Sequence, residues 1–566
     1  MLPLLLLLAH PPADLVVVNG RILTLDAKST VVEAFAVRDG RIVARGTTAA
    51  MKEYIGPKTQ QMDAGGKLIL PGLYDSHTHP LGVVTTQLSA PPPVIPSLKE
   101  AFRVIAERTR TTPKGEWIVL RYVFPTRLDE ARFPTLAELD AVAPQHPVLF
   151  HAGPAAMVNS AALKRSGITA ETKSPRGAMV VKDDRGQPTG MMRNAYGLLK
   201  GVPREGDAVP REKRLAGLQE LFGRYNSLGL TSIADRNGSS EGLRLYQELA
   251  RAGNLTVRIN MARSFDGNQT AEQAERRLKE YEAEAGGGPT GAGDDWVRIG
   301  PLKTFLDGGM LNGTAWMRRP WPPGPTYQIT ENDYRGLLFI QPERLREGIA
   351  VAARRKWQFT AHCAGEGAMD ELLDAYEQVH RSVPLKDLRM CLTHANFPSQ
   401  RNLERCRDLG VVADVQPAWL YKDGPTLARV LGPERVRWFQ PYKSWRKYTT
   451  IGGGSDHMLR YDPLDSTNPW HPWLGIWCAI TRKTERAGVL NAEECLTREE
   501  ALRLYTIDSA FLCHEEKEKG TLEVGKLADF ILIDRDILKC PVDDIKDTVV
   551  LATIVHGRIV YERVKK

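Results

Sequence analysis

The chain has 566 residues, room for one large domain and a smaller one, and its 42% apolar and 25% charged content is that of an ordinary globular protein. A formal charge of +8 arises from 76 Lys and Arg interleaved with 68 Asp and Glu, which excludes a basic block of the kind that grips nucleic acid. The seven cysteines (Cys363, Cys391, Cys406, Cys478, Cys495, Cys513 and Cys540) are odd in number and show no Cys-x-x-Cys spacing, against both a thiolate zinc site and a disulfide framework.

Residues 1–13 begin Met1-Leu2-Pro3 and continue as a leucine run. The run resembles the core of an export signal, but it lacks a basic leader and a small-x-small cleavage site. It reads as a shortened signal or a disordered start, so the location is cytoplasmic, or periplasmic if the run belongs to a signal. It is too short to span a bilayer, and no other stretch reaches spanning length without charges.

From Asp14 to about residue 70 short apolar runs alternate with Asn19-Gly20 and Asp39-Gly40, which predicts strands joined by hairpins. Residues 516–566 repeat that vocabulary, and Val18-Asn19-Gly20-Arg21-Ile22 is echoed by Val555-His556-Gly557-Arg558-Ile559. Both ends therefore predict one composite β-sandwich, 14–70 plus 516–566. Between them, from 71 to 515, strand-like runs alternate with helical stretches such as 240–252 and 366–380. That alternation predicts an α/β fold, a (β/α)8 TIM-type barrel. The region is far longer than the roughly 250 residues such a barrel needs, so a β-rich insertion is expected at about 95–225, after the first barrel strand.

The centre of the chain is Leu68-Ile69-Leu70-Pro71-Gly72, followed by Asp75, His77 and His79. Residues two apart on a strand share a face, so His77 and His79 present two imidazoles together, and neutral imidazole is a common metal ligand. Alone, the pair is a weak signal and reads rather as two satisfied polar histidines at a strand end. Lys303, His362, His394 and Asp456 each follow an apolar strand-like run, at spacings of one or two βα units of about 30 residues. Chemistry in such barrels gathers at the carboxyl ends of strands.

This series resembles the amidohydrolase superfamily, in its family 3 branch of N-substituted formamide deformylase-like proteins. The residues that carry the resemblance run from Asn19-Gly20-Arg21 and Leu70 to His79 through Asn159-Ser160, Leu163 and Pro188-Thr189-Gly190. They continue through Lys303, Asp307-Gly308, Ala361-His362, His394, Gln416-Pro417, Gly454-Ser455-Asp456 and Gly525-Lys526. The resemblance implies a binuclear divalent metal centre, most often zinc. His77, His79 and Asp456 would hold the more buried ion, His362 and His394 the more exposed one, and Lys303 would bridge both as a carboxylated lysine. It also implies Asp456 as the acid–base residue of a C–N bond hydrolysis, on an N-substituted amide, a formamide or a cyclic amide.

The chain departs from the family pattern at Ala152-Gly153-Pro154, where Asp-Gly-His is common, and at Glu366, Thr393 and His457. These changes bear on the substrate more than on the metal positions. Trp316, Trp419, Arg318 and His457 are the substrate-side candidates; Trp321, Trp470, Trp473, Trp477, Arg319, Tyr327 and Asn312 fit either a pocket wall or ordinary packing. A small-molecule substrate is the expected partner, and a homodimer remains open. A lactonase, a decarboxylase, an iron-dependent oxidative enzyme or a non-catalytic binding protein would fit the same scaffold, because fold does not fix chemistry.

Overall fold

The parallel strands expected between 71 and 515 form one eight-stranded sheet. They are β1 (Leu73–Thr78), β2 (Leu230–Gly238), β3 (Arg258–Ser264), β4 (Val297–Phe305), β5 (Phe359–Cys363), β6 (Cys391–His394), β7 (Val412–Val415) and β8 (Ile451–Gly453). Each pairs in parallel with the next. The computed structural model describes residues 10–89, 91–203 and 209–564; the leucine run of the signal-like start lies outside the described residues.

Strands β1 and β8 meet through backbone bonds between the end of β1 and the residues just past β8. The Asp456 amide donates to the His77 carbonyl at 2.8 Å, and the His79 amide to the His457 carbonyl at 2.9 Å. Gly454 makes this approach feasible, since a Cβ there would stand 2.6 Å from the His77 nitrogen. Helices follow the strands as their end signals dictate. Ser239 caps Ser240–Arg251, a Thr270–Gln273 capping box opens Ala271–Ala283, and left-handed Gly410 ends Gln400–Leu409. The 240–252 and 366–380 stretches are helical as expected, over Ser240–Arg251 and Glu366–His380. Fully buried Leu302, Phe359, Leu392 and Ile451 belong to the main core, each aliphatic or aromatic side chain contributing about 1.5–3 kcal/mol.

Both termini build the second layer pair. A six-stranded sheet runs Arg558–Glu562, Val550–Val555, Phe530–Ile533, Leu68–Pro71, Arg21–Leu23, Val31–Val32; a four-stranded one runs Arg41–Gly46, Ala34–Arg38, Leu15–Val18, Gln60–Asp63. Val17, Ile22, Phe35, Ile69, Phe530 and Ile554 fill the space between them, with Phe35 edge-on to Phe530 at 4.9 Å. Asp39-Gly40 and His556-Gly557, all at positive φ, turn true hairpins. Asn19-Gly20 does not, contrary to expectation. Only Asn19 has positive φ, and the chain crosses there from one sheet to the other, so that Val17 and Ile22 enter the same core from opposite sides.

Between β1 and β2 a separate five-stranded sheet runs Met179–Lys182, Pro188–Arg193, Ala155–Val158, Val148–Ala152, Ile118–Leu120. Asn159 pins it: its side chain accepts from the Val148 amide at 2.9 Å and donates to the Ala143 and His146 carbonyls. Among the described residues no helix is long and apolar enough to cross a membrane, and all seven cysteines are free.

Candidate metal and active site

The carboxyl ends of the barrel strands open into a cavity of about 940 Å³. His77, His79, Lys303, His362, His394 and Asp456 all line it. Ligand atoms of His77, His79 and Asp456 lie within 4.8 Å of one another, and Asp456 Oδ1 is 3.3 Å from His77 Nε2 and 3.1 Å from His79 Nε2. The His394 ring joins this cluster to His362, with centroids 4.9 Å from His77 and 4.6 Å from His362.

Three of the imidazoles are oriented by a partner at Nδ1. His77 Nδ1 meets Asp414 Oδ2 at 2.7 Å, His362 Nδ1 meets Asp307 Oδ1 at 2.9 Å, and His394 Nδ1 meets Gln416 Oε1 at 2.7 Å. Nε2 is left on each ring as the nitrogen for a cation, the arrangement that fixes tautomer and direction in metal sites. The partners are themselves held. Asp414 accepts from Ser76 Oγ at 2.7 Å and Gln416 Nε2 at 3.1 Å, while Asp307 accepts from the amides of Ala364, Gly365 and Trp316, each at 2.9 Å. Burial pushes His77 and His394 well below the usual imidazole range, so both rings are neutral and can donate a lone pair. Burial also lowers Lys303, to about 8, and its Nζ sits 4.2 Å from the Phe305 ring centroid. His394, Ala395 and Asp456 have positive φ, which for non-glycine residues is strain of the kind that collects at functional sites. The donor set of imidazoles, a carboxylate and an amine lowered by burial suits a divalent cation.

The substrate-side expectations divide. Trp419 lines the cavity, its ring stacked on His394 at 4.6 Å. Trp316, Arg318 and His457 are not part of the lining. Trp316 is held by its backbone, through the Asp307 carboxylate and the Ala368 amide. Both Arg318 hydrogen bonds to Asp370 are 2.8 Å, so its guanidinium is engaged in an ion pair away from the cavity. His457 has both ring nitrogens occupied, by the Tyr225 hydroxyl at 2.8 Å and the Arg460 carbonyl at 2.6 Å, and it stacks on Trp470. Trp321, Trp470 and Trp473 are core side chains, Trp477 donates to Asp543, and Arg319 pairs with Glu434. Asn312 lines the cavity, whereas Tyr327 is buried with its hydroxyl on the Met310 carbonyl.

Asp307, Asp414 and Gln416 were not assigned roles from the sequence. Asp235 was also missed; it lines the cavity from the end of β2 and accepts from the Tyr246 hydroxyl at 2.8 Å. So was the wall from the insertion, made by Arg121, Tyr122, Phe124, His151, Asn194 and Tyr196. Of the family departures, Gly153 and Pro154 line this wall, Thr393 bonds Thr360 at 2.7 Å, and Glu366 faces Arg435 at 3.5 Å.

The chain is 28% identical to an N-substituted formamide deformylase of Arthrobacter pascens, over 97% of this chain and 98% of that protein. It is 26% identical to the protein LONG AFTER FAR-RED 3 of Arabidopsis thaliana, over 97% and 92% of the two. A crystal structure of an uncharacterized metal-dependent hydrolase from Pyrococcus horikoshii OT3 superposes with a TM-score of 0.64 at 22% identity, covering 94% of this chain and 99% of that one, which shows a shared fold. Residues 60–561 match the sequence profile of the amidohydrolase family. That match spans the barrel, the insertion and about half of the terminal-sheet strands, and the chain belongs to the amidohydrolase family, a family of hydrolases.

Proposed function

We propose that this hydrolase cleaves the C–N bond of an N-substituted amide, with formamides as the first class to screen. The observation that carries the reading is the set of three imidazoles, His77, His362 and His394, each oriented through Nδ1 by a buried side chain. His77, His79 and Asp456 would hold one divalent ion, zinc by preference, and His362 and His394 a second. Lys303 would bridge them as a carbamate. Carbamate formation needs a neutral amine, and a lysine lowered to about 8 supplies one at little cost near neutral pH. When bound, the ions supply hydroxide at neutral pH and polarise a carbonyl.

The chain's own groups do the rest. Asp456 takes the proton of the attacking water and returns it to the leaving nitrogen, since an amine departs poorly unless protonated. Asn468 holds that carboxylate by donating to Oδ2 at 3.1 Å and to the Asp456 carbonyl at 2.6 Å. Trp419 screens His394 from water with its ring face. The match to the Arthrobacter deformylase across nearly the whole chain supports formamides as the first screen.

Metal content by elemental mass spectrometry, on protein purified without chelator or nickel resin, tests the reading. Two zinc ions per chain and loss of formamide hydrolysis on chelation are expected. Iron in place of zinc would redirect the chemistry to oxidation, and protein that takes up no metal on reconstitution would overturn the proposal.

A further inference from the structure

Three cavity-lining side chains keep a buried polar atom without a partner among the described residues: Trp419 at Nε1, Asn468 at Oδ1 and His151 at Nδ1. The first two flank the histidine–aspartate cluster. His151 belongs to the insertion, on strand Val148–Ala152, directly before the Ala152-Gly153-Pro154 departure. Its ring stands edge-on to Tyr122 at 5.5 Å and to Tyr196 at 5.1 Å, so two aromatic rings fix its plane. Burial, reinforced by the Arg121 charge, pushes the imidazole down to about 4. At neutral pH it therefore offers one N–H and one bare nitrogen, and no charge.

The neighbouring amides do not fill that role. Asn312 Nδ2 donates to the Ala152 carbonyl at 2.6 Å, and Asn194 Nδ2 to the Gly177 carbonyl at 2.9 Å. Arg121 donates to the Pro203 carbonyl at 2.5 Å. A buried ring nitrogen without a partner carries a desolvation cost that a ligand atom removes. We propose that His151 is a specificity-determining residue: it binds an uncharged hydrogen-bonding group, a hydroxyl or an amide, at the end of the substrate remote from the scissile bond. Tyr122 and Tyr196 hold the imidazole in place for that contact. The inference rests on the amide-hydrolase reading for the identity of the other end of the substrate.

Three probes test it on metal-loaded, full-length protein: an N-(hydroxybutyl)formamide, the isosteric N-pentylformamide and an N-(carboxypropyl)formamide. Kd is read by titration calorimetry and KM and kcat by steady-state turnover. The hydroxybutyl probe is expected to bind about tenfold more tightly than the pentyl probe, the ratio of one neutral hydrogen bond. His151→Phe closes that gap and His151→Gln reopens part of it, with the loss falling on Kd and KM of the hydroxybutyl probe rather than on its kcat. The wild-type gap is read independently of whether either variant folds. Equal affinities in the wild type, a gap that survives both substitutions, tightest binding by the carboxypropyl probe, or no binding by any probe would each overturn the inference. A binding gap with no turnover of any probe supports it while counting against the formamide reading; turnover without a gap does the reverse.

Discussion

His77 and Asp414, 337 positions apart in the chain, meet at 2.7 Å with both side chains fully enclosed. Asp414 also receives Ser76 and Gln416 and lies 3.7 Å from Arg236, so one carboxylate ties β1, β2 and β7 together beneath the site. Asp414→Asn is expected to lower metal affinity about 10- to 100-fold, as loss of such an orienting partner does. Competition with a chromophoric chelator reads it, and unchanged affinity would remove Asp414 from the metal-holding apparatus. Asp414→Ala is expected to cost about 3–5 kcal/mol of stability as well, because Arg236 is left buried without its counter-charge.

Lys303→Ala should reduce the metal content from two ions per chain to one or none. Elemental mass spectrometry of the purified variant decides the matter. Two ions retained at full occupancy would rule out a carbamate bridge.

Gly454→Ala places a methyl group 2.6 Å from the His77 nitrogen and 2.7 Å from its Cβ. Neither atom can move without shifting the β1–β8 seam. The substitution is expected to cost about 1–3 kcal/mol by overpacking, read by urea unfolding, and to weaken metal binding at the same time. A variant destabilised with unaltered metal affinity would separate the seam from the site.

Acid stability should carry a contribution from His151. Its folded value is pushed down to about 4 from an ordinary 6.5, so below 6.5 the unfolded chain binds the proton more readily. Stability from this group is whole above about pH 6.5 and is lost as the pH falls to about 4, by up to about 3 kcal/mol. Urea unfolding at several pH values should show a shallower loss across that window for His151→Phe than for the wild type. Parallel profiles would mean that the ring charges without penalty.

Arg258 on β3 reaches Asp529 at 2.6 and 2.9 Å, both side chains buried, and joins the barrel to the terminal sheets. Asp529→Ala is expected to destabilise by about 3–5 kcal/mol. A calorimetric transition unchanged in midpoint would show that the two layers are held by apolar packing alone.

The strand ends were legible because the chain repeats one grammar, an apolar run and then a polar residue, at β1, β4, β5, β6 and β8. That grammar brought His77, His79, Lys303, His362, His394 and Asp456 into view before any geometry, and they do share one cavity. Asp414 was not legible, and Gln416 was visible only within the family resemblance and without a role, since they lie at or next to a short buried strand where nothing local marks a polar residue as oriented toward a histidine. The tryptophans stayed open between pocket wall and packing for a related reason. Trp473 belongs to the helix Pro472–Thr481 and Trp470 packs on His457, and an aromatic residue in a loop-rich segment looks the same in sequence whether it faces a ligand or a helix. The insertion was visible as surplus length with β character, but which of its faces met the barrel depended on contacts between residues far apart in the chain, such as Asn312 with Ala152.

Strand Leu68–Pro71 lies in its sheet between Arg21–Leu23 and Phe530–Ile533. During synthesis its first neighbour is present at once, while its second is made only after more than four hundred further residues. On a ribosome adding about 5 to 20 residues per second, that wait lasts roughly 20 to 90 s. For all of it the Leu68-Ile69-Leu70 edge stays open, a template for pairing with other chains. A message truncated before residue 530 is therefore expected to make a chain with a permanently unpaired apolar edge, and full-length nascent chains are expected to need keeping apart from their copies until the last strands arrive.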